Sequence, residues 1–239
     1  MQFPQPLHEG TLLKRYKRFL ADIKLKDGRV ITAHCANPGS MLAIAVEGAP
    51  VWVSEHRNTK RKLLYSWELI DLNGTLVPIN TSNPNKIVAE ALDQGEITEL
   101  SGYRGIRREV KYGEASRIDF LLTGGRRRKP CYLEVKNVHL MRTPGLAEFP
   151  DSVTARGRKH LHELSEMAQN GARAVMLFIV QRSDCTRFRP AADIDPAYND
   201  ALMAARSSGV ETLCYDCDVT RSTVSIRGPL EMDSLEIDV

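Results

Sequence analysis

Two short apolar runs in residues 116–140, SRIDFLLTGGRRRKPCYLEVKNVHL, carry charge inside segments that otherwise have the composition of buried strands. Asp119 lies within RIDFLL, and Glu134 and Lys136 lie within YLEVKNV. An isolated charge is costly to bury, so these side chains need partners or a chemical role. The glycine-containing segment between the runs predicts a β-hairpin that places the two strands side by side.

The spacing of the charges places them near one another in such a hairpin. Residues two apart in a strand share a face, so Glu134 and Lys136 project together and Val135 points the other way. The hairpin brings Asp119 alongside Glu134. Two converging carboxylates repel unless a hard cation such as Mg²⁺ or Mn²⁺ neutralises them, and the carbonyl of Val135 is a further oxygen ligand. Lys136 would then hold the attacking water or meet negative charge on a phosphate, which predicts phosphodiester hydrolysis.

This D-x14-E-x-K pattern resembles the core of the PD-(D/E)xK nucleases, with Ile118 at the position of the motif's proline. Nucleases of this kind commonly take a further metal ligand from a preceding helix, which implies such a role for Glu90 in KIVAEAL. The predicted catalytic set is Asp119, Glu134, Lys136 and Glu90, and the predicted metal ligands are Asp119, Glu134, Val135 and Glu90. An exposed strand face with a Glu–Lys pair and no function is the alternative.

Charge along the chain is uneven, although the net charge is only +3. Residues 101–190 carry 18 basic and 9 acidic side chains, whereas the last 49 residues carry 3 and 10. A basic surface of this kind predicts a polyanionic partner, here DNA, against the alternative of a merely solvated surface. The predicted DNA contacts are Arg57, Lys60, Arg61, Lys62, Arg117, Arg126, Arg127, Arg128, Arg156, Lys159 and His160.

Turn signals and hydrophobic periodicity divide the chain into two domains. Short β-type runs up to residue 80, joined by Asp27-Gly28 and Asn73-Gly74 turns, predict a small barrel in residues 1–82. From residue 83 onward a helix, then strand, strand, long helix, strand, helix and strand predict an α/β domain in 83–239. The turn HCANPGSM in the barrel is either an anion-binding turn or a simple one.

Five segments together resemble one family: HCANPGSM, SRIDFLL, YLEVKNVHL, FPDSVTARGRKHLHEL and VQRSDCTRFRPAADIDPAYNDAL. They are similar to the sugar fermentation stimulation protein A family, although Ala36 and Pro38 stand where we expect Pro and Thr. The resemblance implies an N-terminal OB-fold barrel and a C-terminal α/β PD-(D/E)xK restriction-endonuclease-like domain. It also implies DNA binding and a regulatory link to sugar metabolism, particularly of maltose. A non-cleaving DNA-binding regulator is therefore the alternative to a metal-dependent deoxyribonuclease.

The five cysteines are odd in number and lack the spacing of a disulfide framework, which predicts reduced thiols. Cys214 and Cys217 form a CxxC with no second pair to complete a zinc site, so we expect them on opposite faces of a late strand. No apolar run is long enough to span a bilayer, and the N-terminus has no signal-peptide pattern. These features predict a cytoplasmic protein with no membrane partner, and a homodimer is a candidate assembly.

Overall fold

The computed structural model of the chain describes residues 1–58, 60–113, 116–125 and 128–233. Up to Asn80, the described residues contain six strands. They are β1 (Leu7–Tyr16), β2 (Leu20–Leu25), β3 (Val30–His34), β4 (Pro50–Glu55), β5 (Tyr65–Leu72) and β6 (Thr75–Pro78).

Pairing between sequence-distant strands closes the first five strands into a barrel. β1 pairs antiparallel with β2 and β4, β2 pairs with β3, and β4 pairs with β5. A parallel pairing of β3 with β5 closes the ring, which makes this an OB-like barrel, and β6 extends it from β5. Trp52, Tyr65 and Trp67 are all buried, so none of the three is available to stack on a base.

The two predicted hairpin turns differ in the structure. Asn73 and Gly74 have φ of 56° and 91°, as a two-residue turn that matches the strand twist requires. At the other turn only Gly28 has a positive φ, of 89°, and the amide of Leu25 donates to the carbonyl of Arg29. The Leu25–Arg29 bond leaves three residues in this loop, 26–28, of which only the last takes a positive φ, so the turn is not the two-residue Asp27-Gly28 turn that the sequence predicts.

The described residues after the barrel contain three helices, a 3₁₀ turn and ten strands. The helices are α1 (Pro84–Gln94), α2 (Ala155–Gln169) and α3 (Pro196–Ser207), and the 3₁₀ turn spans Thr98–Leu100. The strands are β7 (Gly105–Tyr112), β8 (Ser116–Thr123), β9 (Cys131–Val138), β10 (Leu140–Thr143), β11 (Leu146–Phe149), β12 (Arg173–Val180), β13 (Arg187–Pro190), β14 (Glu211–Val219), β15 (Val224–Pro229) and β16 (Glu231–Met232). The predicted boundary at residues 82–83 lies between β6 and α1 and stays a prediction.

A central six-stranded sheet, in the order β15-β14-β12-β9-β8-β7, is covered on both faces. β9, β12 and β14 run parallel, and the neighbouring strands are antiparallel to them. Apolar residues of α1 pack on one face and those of α2 and α3 on the other. β12 is buried on both sides, as its unbroken apolar sequence predicts.

A smaller sheet, in the order β10-β11-β13-β16, was not predicted. Each of these strands has four residues or fewer. Their sequences are short and interrupted by charged residues, with at most three apolar positions each, so no period of two can be recognised in them. Their pairing depends instead on the parallel register of β11 with β13, whose partners are about 40 residues apart along the chain.

The HCANPGSM turn joins the barrel to the second domain. The backbone amide of Met41 donates to Oδ2 of Asp151 at 3.0 Å, and the hydroxyl of Ser40 donates to the carbonyl of Asp151 at 2.7 Å. Trp52 and Leu69 of the barrel also share a hydrophobic cluster with α1 and β9. The anion that this turn binds is thus a carboxylate of the protein itself.

The five cysteines are free thiols and all are buried. Cys214 packs in the cluster under α2 and α3, and Cys217 in the cluster under α1, so they occupy opposite faces of β14 as predicted. Burial raises the pKa of both thiols. Among the described helices, none has the length and apolar character needed to cross a membrane.

Candidate active site

The site lies where the ladder between β8 and β9 ends. The paired register stops at Phe120 and Leu133, and the next opposed positions are Asp119 and Glu134. There the amide of Val135 donates to Oδ2 of Asp119 at 2.7 Å. The carboxylate of Asp119 thus accepts a hydrogen bond from a backbone amide of β9 just beyond the last paired residues of β8 and β9. This bond fixes Asp119 at the end of the strand pairing.

The backbone around Asp119 departs from the regular strand pattern. Ile118 packs in the cluster under α2, whereas Phe120, two residues on, packs in the cluster under α1. Glu109, the opposed position on β7, has a positive φ of 52°, which is uncommon for a residue with a side chain. Asp119 therefore does not share one simple strand face with Glu134 and Lys136, as the period of two had predicted, but lies between the two faces.

The residue of α1 that reaches Asp119 is Asn85, whose Nδ2 donates to Oδ1 of Asp119 at 2.7 Å. The predicted ligand from this helix, Glu90, is instead hydrogen-bonded to the α-amino group of Met1, with 53% of its side chain exposed. Since the two residues are five positions apart, they project about 140° apart around the helix. The prediction that Glu90 is a metal ligand or a catalytic residue is corrected accordingly.

Glu134 and Lys136 project towards α2, where His160 meets them. Nζ of Lys136 lies 2.8 Å from Oε1 of Glu134, and Nδ1 of His160 contacts the same oxygen. Nε of Arg156 donates to Nε2 of His160 at 3.3 Å, so the ring proton is assigned to Nδ1, which donates it to Glu134. His160 is only 5% exposed, which places it inside the site and not, as predicted, among the DNA-contacting surface side chains.

The two carboxyl groups have opposite pKa shifts. Burial, and next the charge of Glu134, raises the pKa of Asp119 to about 6, against the opposing hydrogen bonds from Val135 and Asn85. Burial also opposes ionisation of Glu134, but the hydrogen bond from His160 and the charge of Lys136 outweigh it and hold its pKa below the ordinary value. The site therefore keeps one firmly ionised carboxylate beside one that gains a proton readily.

Several polar atoms beneath the site have no hydrogen-bond partner among the described residues. They are Oε2 of Glu134, both carboxyl oxygens of Glu163, and the hydroxyls of Tyr112 and Tyr198. Burial, followed by the charges of Glu134 and Glu163, raises the pKa of Tyr112. Neither Glu163 nor Tyr112 was predicted, because a glutamate on a basic helix and a tyrosine ending a strand carry no signal in sequence.

The donor set fits a hard divalent cation in its chemistry. Asp119 and Glu134 offer carboxylate oxygens, one of them buried without a partner, and Val135 offers a backbone carbonyl. Across the described residues, no group of three or more histidine, cysteine, aspartate and glutamate side chains is placed to hold a metal. An ion here would therefore rely on two carboxylates and water, the mode that Mg²⁺ favours, rather than on a closed protein cage.

The other predicted DNA contacts lie in several places. Arg57, Lys60, Arg61 and Lys62 are exposed on the loop between β4 and β5. Arg156 contacts the site through its hydrogen bond to His160, whereas Nζ of Lys159 lies 3.6 Å from Oε1 of Glu163. Arg117 donates to the carbonyl of Glu109 at 2.8 Å, and Arg128 lies over the ring of Tyr103. Arg126 and Arg127 lie outside the described residues.

Two family models together match most of the chain. Residues 13–79 match a model described as the SfsA N-terminal OB domain, and residues 82–223 match the sugar fermentation stimulation protein RE domain. The chain belongs to the sugar fermentation stimulation protein family. Its N-terminal barrel, closed between β3 and β5, is the OB domain of that family.

Relatives and a solved structure match over nearly the full length. A sugar fermentation stimulation protein homolog of Maricaulis maris is 55% identical over 233 residues, covering 98% of this chain and 99% of that protein. A homolog of Paramagnetospirillum magneticum is 53% identical over 236 residues, covering 99% of each. A structure of Pyrococcus furiosus SfsA in complex with Ca²⁺ is 26% identical, with a TM-score of 0.86 and 98% of both chains covered.

Proposed function

We propose that this chain binds DNA and hydrolyses phosphodiester bonds with Mg²⁺ or Mn²⁺, through a second domain of the PD-(D/E)xK nuclease type. The observation that carries the proposal is the buried Oε2 of Glu134, which has no hydrogen-bond partner in the described structure, beside Asp119. The charge of Glu134 contributes to the raised pKa of Asp119, so negative charge is in excess there. A cation would offset that excess, and the Ca²⁺ complex of the Pyrococcus furiosus relative supports this.

The ligands of that cation would be Asp119, Glu134 and the carbonyl of Val135, with water in the other positions. When bound, the ion supplies positive charge for the phosphate oxygens and favours ionisation of a bound water. Asn85 and the amide of Val135 fix the two oxygens of Asp119 in place. Because Asp119 is already ordered, the entropy cost of positioning it does not add to the activation barrier.

Lys136 brings its ammonium group to the same place, with only 12% of its side chain exposed. In the reaction it would face a non-bridging phosphate oxygen and stabilise the charge that develops there. The water gives up one proton to solvent and its oxygen forms the new bond to phosphorus, while the bond to the leaving oxygen breaks and that oxygen takes a proton from solvent. His160 keeps Glu134 ionised and oriented by donating from Nδ1.

A second candidate is a non-cleaving DNA-binding regulator of sugar metabolism, including maltose genes. It is favoured by the bonds already present in the site. Both oxygens of Asp119 accept hydrogen bonds, and Lys136 and His160 share one oxygen of Glu134. These bonds hold three of the four carboxylate oxygens without a metal, which is compatible with a fold that serves for binding alone.

Cleavage assays separate the two candidates. The purified protein is incubated with single-stranded, duplex and branched DNA in Mg²⁺, Mn²⁺ or EDTA, beside Lys136→Ala. We expect cleavage with a metal, none in EDTA, and a loss of 10²-fold or more in the variant, since it removes charge at the phosphate. Arg206→Ala, a change to an exposed cation on α3, is the matched control and should cut like the wild type. Intact DNA under every metal condition would refute the nuclease and leave the regulator.

A further inference from the structure

A polar cleft of about 380 Å³ lies between the barrel and the start of α1, apart from the carboxylates described above. Its floor comes from the barrel and includes His34, His56, Ser66 and Glu68. Its rim carries two cations, Arg61 from the β4–β5 loop and Lys86 from α1. The volume lies within the roughly 300–1,000 Å³ that is common for small-ligand sites.

The floor of the cleft presents hydrogen-bonding groups in fixed positions. Nε2 of His56 lies 2.7 Å from the hydroxyl of Ser66. Glu68 is only 4% exposed and accepts a hydrogen bond from the hydroxyl of Ser54 at 2.7 Å. Burial, and next the charges of Arg61 and His34, lowers the pKa of His56, which favours a neutral ring. Such a floor suits the uncharged, donor-and-acceptor edge of a nucleobase.

The rim of the cleft has a different chemistry from the floor. Arg61 and Lys86 are both exposed, and neither makes an ion pair with any carboxylate in the described part of the chain. Among the described residues, Nζ of Lys86 makes one hydrogen bond, to the amide oxygen of Asn83 at 3.4 Å. Two exposed cations outside any ion pair, above a buried polar floor that includes Glu68, match the two ends of a nucleotide, its phosphate and its base.

The cleft is joined to the carboxylate site through consecutive residues of α1. Lys86 borders the cleft, and its neighbour Asn85 donates to Asp119. A phosphate held by Lys86 is therefore within one turn of helix of the residue that orients Asp119. Consecutive residues project about 100° apart around a helix, so the cleft and the carboxylate site lie on adjacent sides of the first turn of α1.

We infer that this cleft binds one unstacked nucleotide of a single-stranded nucleic acid, next to the phosphate that enters the carboxylate site. The inference rests on the proposed function, because it assumes that the carboxylate site acts on a phosphate. It adds that the substrate of that site is single-stranded. A base paired within a duplex cannot place its edge on the floor, since that edge is already used. The protein would thus prefer unpaired DNA, or the unpaired arm of a branched one.

The test uses the full chain in EDTA, so that no DNA is cut. Short oligonucleotides carry 2-aminopurine, whose emission rises when the base leaves its stack. The probe is offered in a DNA single strand, in the same sequence as RNA, in a duplex, and as the free 2-aminopurine nucleoside monophosphate. Affinity is measured over a range of salt concentrations for the wild type, Lys86→Ala, Glu68→Gln and Arg206→Ala.

We expect brighter emission with single strands but not with the duplex. Lys86→Ala should lower single-strand affinity roughly fivefold to tenfold and reduce the salt slope by about 0.7, since one phosphate contact is lost. Glu68→Gln should change the relative affinity for the four bases about tenfold, with no change in slope. Arg206→Ala should match the wild type, because α3 contributes no residue to the cleft.

The failures of this inference and of the proposed function are distinguishable. Equal emission for duplex and single strand, or an unchanged salt slope in Lys86→Ala, would overturn the nucleotide site even if the protein cuts DNA. Brightening without any cleavage in metal would support the nucleotide site and refute hydrolysis. Free nucleotide bound as tightly as the oligonucleotide would also overturn it, because the cleft would then serve a small molecule.

Discussion

Asn85 and Asp119, 34 residues apart in the chain, are joined by a hydrogen bond of 2.7 Å from Nδ2 to Oδ1. This bond connects the first turn of α1 to β8, at the point where its pairing with β9 ends. It also stabilises the ionised form of a carboxyl group whose burial opposes ionisation. The orientation of one catalytic candidate thus depends on a neutral amide and not on a second acid.

Asn85→Ala should raise the pKa of Asp119 above its wild-type value of about 6, because the charged form loses a donor. The measurement is a carbon-13 titration of the aspartate carboxyl groups in EDTA. Glu90→Gln is the control on the same helix and should leave the titration unchanged, since Glu90 bonds to Met1. A shift in the control equal to that in Asn85→Ala would contradict the placement of these residues.

Asp119→Asn should stabilise the metal-free protein at neutral pH. The folded-state pKa of about 6 lies above the ordinary value of 3.8, so the stabilising effect of the proton is present at low pH and lost as the pH rises through 6. Asparagine imitates the protonated form, so the variant should exceed the wild type by roughly 2–3 kcal/mol at pH 7.5. The difference should shrink to roughly 0.6 kcal/mol at pH 4, close to the ordinary pKa of 3.8.

Urea unfolding in EDTA from pH 4 to 8 measures this pH profile. Asp93→Asn, a change to an exposed aspartate on α1, should stay within about 0.5 kcal/mol of the wild type throughout. A constant difference between Asp119→Asn and the wild type at all pH values would show that the carboxyl does not titrate as described.

His160→Ala should destabilise the fold by about 2–4 kcal/mol, because it leaves the buried carboxylate of Glu134 with Lys136 as its remaining partner. The measurement is urea unfolding at pH 7 without metal. His162→Ala is the matched control, since 77% of that side chain is exposed, and it should cost no more than about 0.5 kcal/mol. Similar losses in both variants would argue against a buried role for His160.

Gly39→Ala should weaken the contact between the barrel and the second domain. A Cβ at this position would lie 2.9 Å from Oδ2 of Asp151, the carboxylate that accepts from Met41. We expect a loss of about 1–3 kcal/mol by calorimetry. Gly228→Ala is the control, because nothing lies within 4 Å of its Cβ, and a drop in its stability equal to that of Gly39→Ala would remove the explanation.

Sequence reasoning reached much of the candidate site because that part depends on local pattern. Asp119, Glu134 and Lys136 lie in strands joined by one hairpin, so turn signals and periodicity were enough to place them near one another. The irregularity at Asp119 could not be anticipated. It accompanies the positive φ of Glu109 on the neighbouring strand, and nothing in a glutamate's identity signals that conformation.

The sequence by itself determined the closely spaced features: the Asn73-Gly74 turn, the apolar β12 and the pairing of two charged strands. Each depends on residues close enough in the chain to act through period or turn chemistry. Only the tertiary structure decided which residue of α1 meets Asp119, that His160 is buried on Glu134, and that the HCANPGSM turn binds Asp151. These contacts join residues 26 to 110 positions apart, and their geometry follows from how whole elements pack, which no local pattern records.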